Sequence, residues 1–192
     1  MPGQLEAFGY IGSVLDAWRQ ADTFGPFWPA TLSLEQYRGD EPPSGRPRPG
    51  WCYGTSGVAR ALQLAGLAAG EPAWLTTAYE AGMGCIRALD HGLLPEEAQL
   101  CHGLAGTLHC LGRIEATAGG GALAAGLERI AAHVLGLRDL GTPFGFVTGE
   151  ASPNGRCDPG WLQGAAGVLS ALHAYASGRM PESGWDAALL LS

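Results

Sequence analysis

Trp51-Cys52-Tyr53-Gly54-Thr55-Ser56-Gly57 is the stretch on which the reading of this chain turns. It returns as Leu100-Cys101-His102-Gly103-Leu104-Ala105-Gly106, and again as Trp161-Leu162-Gln163-Gly164-Ala165-Ala166-Gly167. The copies lie about fifty and then about sixty residues apart, which marks an internal repeat. Each is a G-x-x-G pair that follows a loop and opens a segment rich in Ala and Leu. Glycine inside a helix lowers its stability by up to about 1 kcal/mol relative to Ala. Three repetitions imply a packing reason, because glycines at i and i+3 share a helix face and admit a close backbone. Chance in a glycine-rich chain is the competing reading, and the recurrence of flanking residues counts against it.

Outward from these blocks, helical periodicity dominates. Leu5, Phe8, Ile11, Val14, Leu15 and Trp18 predict a helix over 4–20. Six prolines make 24–50 a loop-rich segment, with room for one helical turn in 31–37. Helices are expected over 55–67, from Pro72 to about 89, from the Pro95-Glu96-Glu97 stretch to 116, over 123–137 and over 163–175. Gly119 to Gly121 is a turn. Phe144, Phe146 and Val147 alternate like a short strand, and Pro153-Asn154-Gly155 reads as a turn. The segment 185–191 caps the chain. The fold class is all-α, with short helices paired by tight connections. One domain over 1–192 is expected: an outer helix in 1–23, a Pro-rich loop in 24–50, and helical hairpins in 51–192.

Of the 192 residues, 46% are apolar and 15% charged, against a usual quarter charged. A large core is therefore available and disorder is not expected. The net charge of −7 argues against a nucleic-acid surface, which needs clustered Lys and Arg. No apolar run is long enough to span a membrane, and Met1 to Tyr10 carry no secretory signal pattern. Five cysteines without an export signal do not read as a disulfide framework, so a cytoplasmic chain with reduced thiols is expected.

Cys52, Cys101 and His102 each stand just before a G-x-x-G pair. If the blocks are structurally equivalent, their loops gather at one end of the helical array and bring the three together. Adjacent side chains on a helix diverge by about 100°, so Cys101 and His102 can share a metal only from a loop or helix start. Two sulfurs and an imidazole suit Zn²⁺, and three protein ligands leave a fourth position open, the pattern of a catalytic site. Packed core thiols and a core histidine are the alternative.

The blocks resemble those of the lanthionine synthetase C-like family of zinc-dependent lanthipeptide cyclases. The resemblance is carried by Arg48-Pro49-Gly50-Trp51-Cys52-Tyr53-Gly54, by Cys101-His102-Gly103-Leu104-Ala105-Gly106 and by Gly160-Trp161-Leu162-Gln163-Gly164-Ala165-Ala166-Gly167. Trp28-Pro29 and the closing Trp185-Asp186-Ala187-Ala188-Leu189-Leu190-Leu191 extend it along essentially the whole chain. It implies an α/α toroid of helical hairpins whose inner helices are opened by G-x-x-G. It implies Cys52, Cys101 and His102 as ligands of Zn²⁺, and Arg48 and Tyr53 as active-site residues, with Trp51 beside them. The implied reaction adds a substrate Cys thiol to a dehydroalanine or dehydrobutyrine of the same dehydrated precursor peptide, closing a thioether ring. Full-length members also carry an upstream H-G-x-x-G block and an upstream Asp. Neither has a counterpart here, so the chain is expected to form the C-terminal half of a toroid, with a dehydratase or an upstream portion as a partner.

The remaining titratable residues read as structural. His109, seven residues after His102, is expected to be packed core rather than a partner of the site. Cys85, Cys110 and Cys157 read as packing or exposed thiols, and His91, His133 and His173 as surface or helix-end residues. Asp40-Glu41 reads as a solvated loop, and Glu96-Glu97 as favouring a helix N-terminus. Two further functional readings stand beside the cyclase. One is a non-catalytic module of the same fold that binds zinc and a thiol peptide; the other is a purely structural hairpin array. No acid pair sits in the repeat loops, which disfavours a glycosidase.

Overall fold

The computed structural model describes residues 3–93, 95, 97–147, 157–179 and 181–192. In chain order it contains α1 (Gln4–Ala17), β1 (Gln20–Asp22), β2 (Gly25–Phe27), α2 (Leu34–Arg38), α3 (Thr55–Ala69), α4 (Pro72–Asp90), α5 (Leu104–Ala118), α6 (Ala124–Gly136), α7 (Ala165–Ser177) and a closing 3₁₀ turn (Trp185–Leu189). The all-α reading holds. Helices α3, α5 and α7 each begin directly after the first glycine of a block. They stand side by side in that order, with α4 packed on α3 and α6 on α5, so the array is built from helical hairpins. Proline at the first position of α4 is suited there, since that N–H has no helical acceptor. Leu62, Leu104, Leu108, Leu111, Ile114, Leu123, Val134 and Val168 are fully buried between the helices.

The glycine pairs answer a steric demand made mainly by their own loops. A Cβ on Gly57, Gly106 or Gly167 would lie under 3.0 Å from the carbonyl oxygen of Trp51, Leu100 or Trp161, the residue six positions earlier. A Cβ on Gly54, Gly103 or Gly164 would meet the loop backbone just upstream at similar range. Each loop therefore folds back onto the first turn of its helix, and only a residue without a side chain leaves room. The neighbouring unit adds a second contact: a Cβ on Gly106 would sit 3.3 Å from Trp51 Cβ, and one on Gly167 2.9 Å from Leu100 Cβ.

Two expectations are corrected. The helix reaching 116 starts at Leu104, not near Pro95. The backbone of 97–103 is spent on the loop: the Glu97 and Ala98 carbonyls accept from the Leu104 and Ala105 N–H groups at 2.9 and 3.1 Å, which caps α5. Glu97 thus acts through its carbonyl. Phe144, Phe146 and Val147 form no strand, only a single bridge between Arg138 and Phe146. The turn expected at Pro153-Asn154-Gly155, and Glu96, fall outside the described residues. A β-hairpin was not foreseen: β1 and β2 pair antiparallel, and Asp22 accepts from the N–H groups of Phe24 and Gly25 while gripping Arg46 at 2.8 Å.

The last residues run into the array and tie its parts together. Asp186 is 1% exposed and accepts from His109 Nε2 at 2.9 Å, with Arg113 Nε at 3.2 Å. Arg60 and Arg113 both donate to the Leu191 carbonyl at 3.0 Å. The Trp51 indole N–H reaches the Leu189 carbonyl at 3.1 Å, so the tail also fixes the first block. Burial pulls Arg60 down to about 10, where it is still a cation at neutral pH. His109 is core, as expected, but paired core. Burial holds it below the ordinary imidazole value, against the pull of Asp186, whose charge Arg113 already shares.

Two outcomes follow from this packing. On α5, Gly106→Ala forces a methyl into the Leu100 carbonyl and should destabilise the chain by roughly 1–3 kcal/mol. Gly112→Ala on the same helix meets nothing within 4 Å and should stabilise it by about 0.5–1 kcal/mol; urea unfolding of both variants checks the contrast. For His109 the folded state binds its proton less readily than the unfolded state, whose imidazole titrates near 6.5. Stability should therefore fall as the pH drops below that value, and His109→Gln should flatten the fall, measured by urea unfolding between pH 7.5 and 5.

Candidate metal centre

The site is assembled by main-chain bonds between the blocks. The Cys52 N–H donates to the Cys101 carbonyl at 3.2 Å, and the Cys101 N–H donates to the Leu162 carbonyl at 2.9 Å. These are the equivalent second residues of the three blocks, so the loops do gather at one end of the array. At that level the side chains are Cys52, Cys101 and Leu162; one residue on they are Tyr53, His102 and Gln163. The third block offers neither a sulfur nor an imidazole, and the potential ligands concentrate between the first two.

The structure brings the predicted ligands together. One donor atom from each of Cys52, Cys101 and His102 lies within 4.8 Å of the others, and all three residues are half-buried. Cys101 Sγ and His102 Nε2 are 3.5 Å apart. Tetrahedral zinc, with Zn–S near 2.3 Å and Zn–N near 2.0–2.1 Å, calls for donor separations of about 3.5–3.8 Å. His102 and Cys101 meet because both precede α5, where backbone turns rather than helix geometry set their directions. Burial first, and the neighbouring Cys52 second, push the Cys101 thiol up to about 12. Two thiolates so close repel unless a cation lies between them, so this donor set fits a divalent, thiophilic ion.

The cleft beside the cluster is lined by Ala30, Pro47, Arg48, Gly50, Tyr53, Gly54 and His102. Arg48 and Tyr53 are exposed and thus open to a ligand, while Trp51 is half-buried with its N–H bound to the tail. The other thiols and imidazoles stand apart. Cys85 and Cys110 are buried, which pushes each up to about 12 and leaves them inert packing groups. Cys157 is half-buried; His91, His133 and His173 are exposed, with His91 bonded to the Arg87 carbonyl at the end of α4. Asp40 and Glu41 are exposed loop residues.

Sequence reading missed the groups that hold the first block in place. Gly50 lies on the backbone of His102, where an added Cβ would be 3.1 Å from the His102 carbonyl oxygen. Ser56 Oγ donates to the Gly50 carbonyl at 3.2 Å, and Thr107 Oγ1 donates to the Pro49 carbonyl. No periodicity marks such residues. The available signals were two hydroxyls, Thr107 where the other blocks have Val58 and Val168, and Ser56 where they have Ala105 and Ala166.

Comparison with known proteins agrees with this architecture. A family model described as lanthionine synthetase C-like protein matches residues 2–190. Among solved structures, a nisin cyclase superposes on 100% of the chain with a TM-score of 0.73 at 17% identity. The match spans 44% of that cyclase, so the chain has less than half its length. No curated protein shows significant sequence similarity to the chain. Among the described residues, no helix is long and apolar enough to cross a membrane.

Proposed function

The chain belongs to the lanthionine synthetase C-like family, and on that premise we propose that it holds one Zn²⁺ through Cys52, Cys101 and His102 and serves thioether ring closure on a dehydrated peptide. The observation that carries this reading is the convergence of three donors from loops 51–54 and 100–103 to within 4.8 Å, beside an open cleft. A bound zinc ion supplies Lewis acidity that keeps a ligated thiol deprotonated near neutral pH. The chain's residues then have separable tasks. The cleft wall of Gly50, Tyr53 and His102 admits the peptide from the open side of the cluster. As the substrate sulfur bonds to the β-carbon of the dehydro residue, an electron pair moves to that residue's carbonyl oxygen. The guanidinium of Arg48, on the same cleft, is suited to meet that charge. The α-carbon must then receive a proton, which the Tyr53 hydroxyl can relay from solvent.

Several features support the wider setting. α1 exposes Leu5, Phe8, Ile11 and Val14, and α7 exposes Leu169. Further hairpins would pack on such faces, and an upstream portion of the toroid is the partner we assign to them, with a separate dehydratase supplying the substrate. All five cysteines are free, which suits the cytoplasm.

The test is metal content followed by turnover. Purified chain should carry about one zinc, and Cys101→Ala should lose it. Ring closure by addition leaves the peptide mass unchanged, so it is read as loss of alkylatable thiol from a dehydrated peptide. Arg48→Met should keep the metal and slow that loss by about 100-fold. Metal-free wild-type protein would overturn the reading. Zinc-loaded protein that binds the thiol peptide without closing a ring would favour the binding module of the same fold.

A further inference from the structure

Thr107 occupies the position after the second glycine of its block, where the other blocks carry Val58 and Val168. It is fully buried on α5. Its hydroxyl reaches two carbonyls: Gly103 in its own helix at 3.2 Å, and Pro49 in the preceding block's loop, the closer of the two. Pro49 is itself buried. In the second and third blocks, the carbonyls four and three residues before the ligand level cap their own helices. Glu97 and Ala98 accept from Leu104 and Ala105, and Asp158 and Pro159 accept from Ala165 and Ala166, at 2.9–3.4 Å. Among the described residues, the first block forms no such pair from Arg48 and Pro49. Its loop shifts by one step, and the Gly50 carbonyl takes the Gly57 N–H at 3.3 Å and the Ser56 hydroxyl at 3.2 Å. The buried Pro49 carbonyl is thus released from its own helix, and a buried carbonyl left bare is costly.

We propose that Thr107 is a positioning residue of the metal centre: its hydroxyl bonds the released Pro49 carbonyl and so locks the loop carrying Arg48 and Cys52 onto the helix that presents Cys101 and His102. The proposal rests on the reading of Cys52, Cys101 and His102 as a metal site. The lock works with two neighbours, the seating of Gly50 on the His102 backbone and the bond from the Cys52 N–H to the Cys101 carbonyl. Together they tie the first loop at Pro49, Gly50 and Cys52 to the unit that carries Cys101 and His102. The ties at Gly50 and Cys52 are made by backbone. Thr107 supplies the one tie that a single side-chain atom can remove. Why Thr stands here and Val in the sister blocks follows: only this interface carries ligands on both sides.

Thr107→Val removes the hydroxyl and keeps the shape that the sister blocks already accommodate. The experiment titrates the metal-free full chain with Co²⁺, reading the sulfur-to-cobalt charge-transfer band and the d–d bands, with Zn²⁺ competition for affinity. Outer residues that orient ligands typically alter affinity by about 10–100-fold. Thr107→Val should weaken Co²⁺ binding within that range and change the d–d bands, whereas Thr107→Ser, which keeps the hydroxyl, should bind like wild type. In metal-free protein, alkylation of Cys52, mapped by mass spectrometry, should quicken in Thr107→Val and not in Thr107→Ser. If Thr107→Val does not fold, Thr107→Ala against Thr107→Ser gives the same comparison. Equal affinity and equal Cys52 reactivity in the hydroxyl-free variants, or a Ser variant no better than Val or Ala, would overturn the proposal. Wild-type protein that takes up no Co²⁺ would instead overturn the metal reading on which it stands.

Discussion

A carbonyl oxygen pressed against a glycine is the contact on which this architecture depends. It occurs at the start of all three inner helices, Trp51 on Gly57, Leu100 on Gly106 and Trp161 on Gly167. The loop cannot fold back that far over a side chain, and unless it folds back the second residue of each block does not come level with that of the next. The hydrogen bonds from Cys52 to Cys101 and from Cys101 to Leu162 are consequences of that seating. So is the meeting of ligands drawn from loops far apart in sequence. The helices themselves are ordinary: Ala- and Leu-rich, each inner one ended by a left-handed glycine, Gly70, Gly119 or Gly178.

What was legible in the sequence was whatever repeats. The G-x-x-G blocks marked the start of α3 and α7 to within two residues, and the cysteines and histidine set at their edges marked the cluster. Where a feature depends on a single long-range partner, the sequence was silent. The β-hairpin is three residues a side, too short for an alternating pattern to stand out, and its turn is braced by Arg46 from 24 positions away. The start of α5 was misplaced because Pro95 and the acidic pair look like a helix opening. In the fold Glu97 belongs to the loop, and its carbonyl and that of Ala98 are committed to capping Leu104 and Ala105. Thr107 stood out only as a hydroxyl among valines, because the carbonyl it bonds lies 58 positions upstream.

The buried charges make the complementary point. Asp186, His109, Arg113 and Arg60 form a nearly closed set around the tail, and isolated burial of any one would be prohibitive. Their value is directional. Apolar contacts alone would let Trp185 and Leu189 settle in several ways among Ala-rich helices. Two guanidinium groups converging on the Leu191 carbonyl define one seat for the tail. Because Trp51 binds the same tail through Leu189, the charge network also sets the height of the first block, one residue from Cys52.

That division of labour bears on what a metal would contribute. In small zinc domains the ion supplies the folding energy, because nothing else holds the ligands together. Here glycine seating, main-chain bonds between blocks and a tail anchored in the core also place the loops. An ion bound only by the folded chain would add to its stability by mass action. With Cys101 pushed up to about 12 by burial and by Cys52, its sulfur stands as a neutral thiol. A dication would bind the two cysteines by displacing thiol protons, and the two sulfurs and the imidazole are donors of the kind a thiophilic ion prefers.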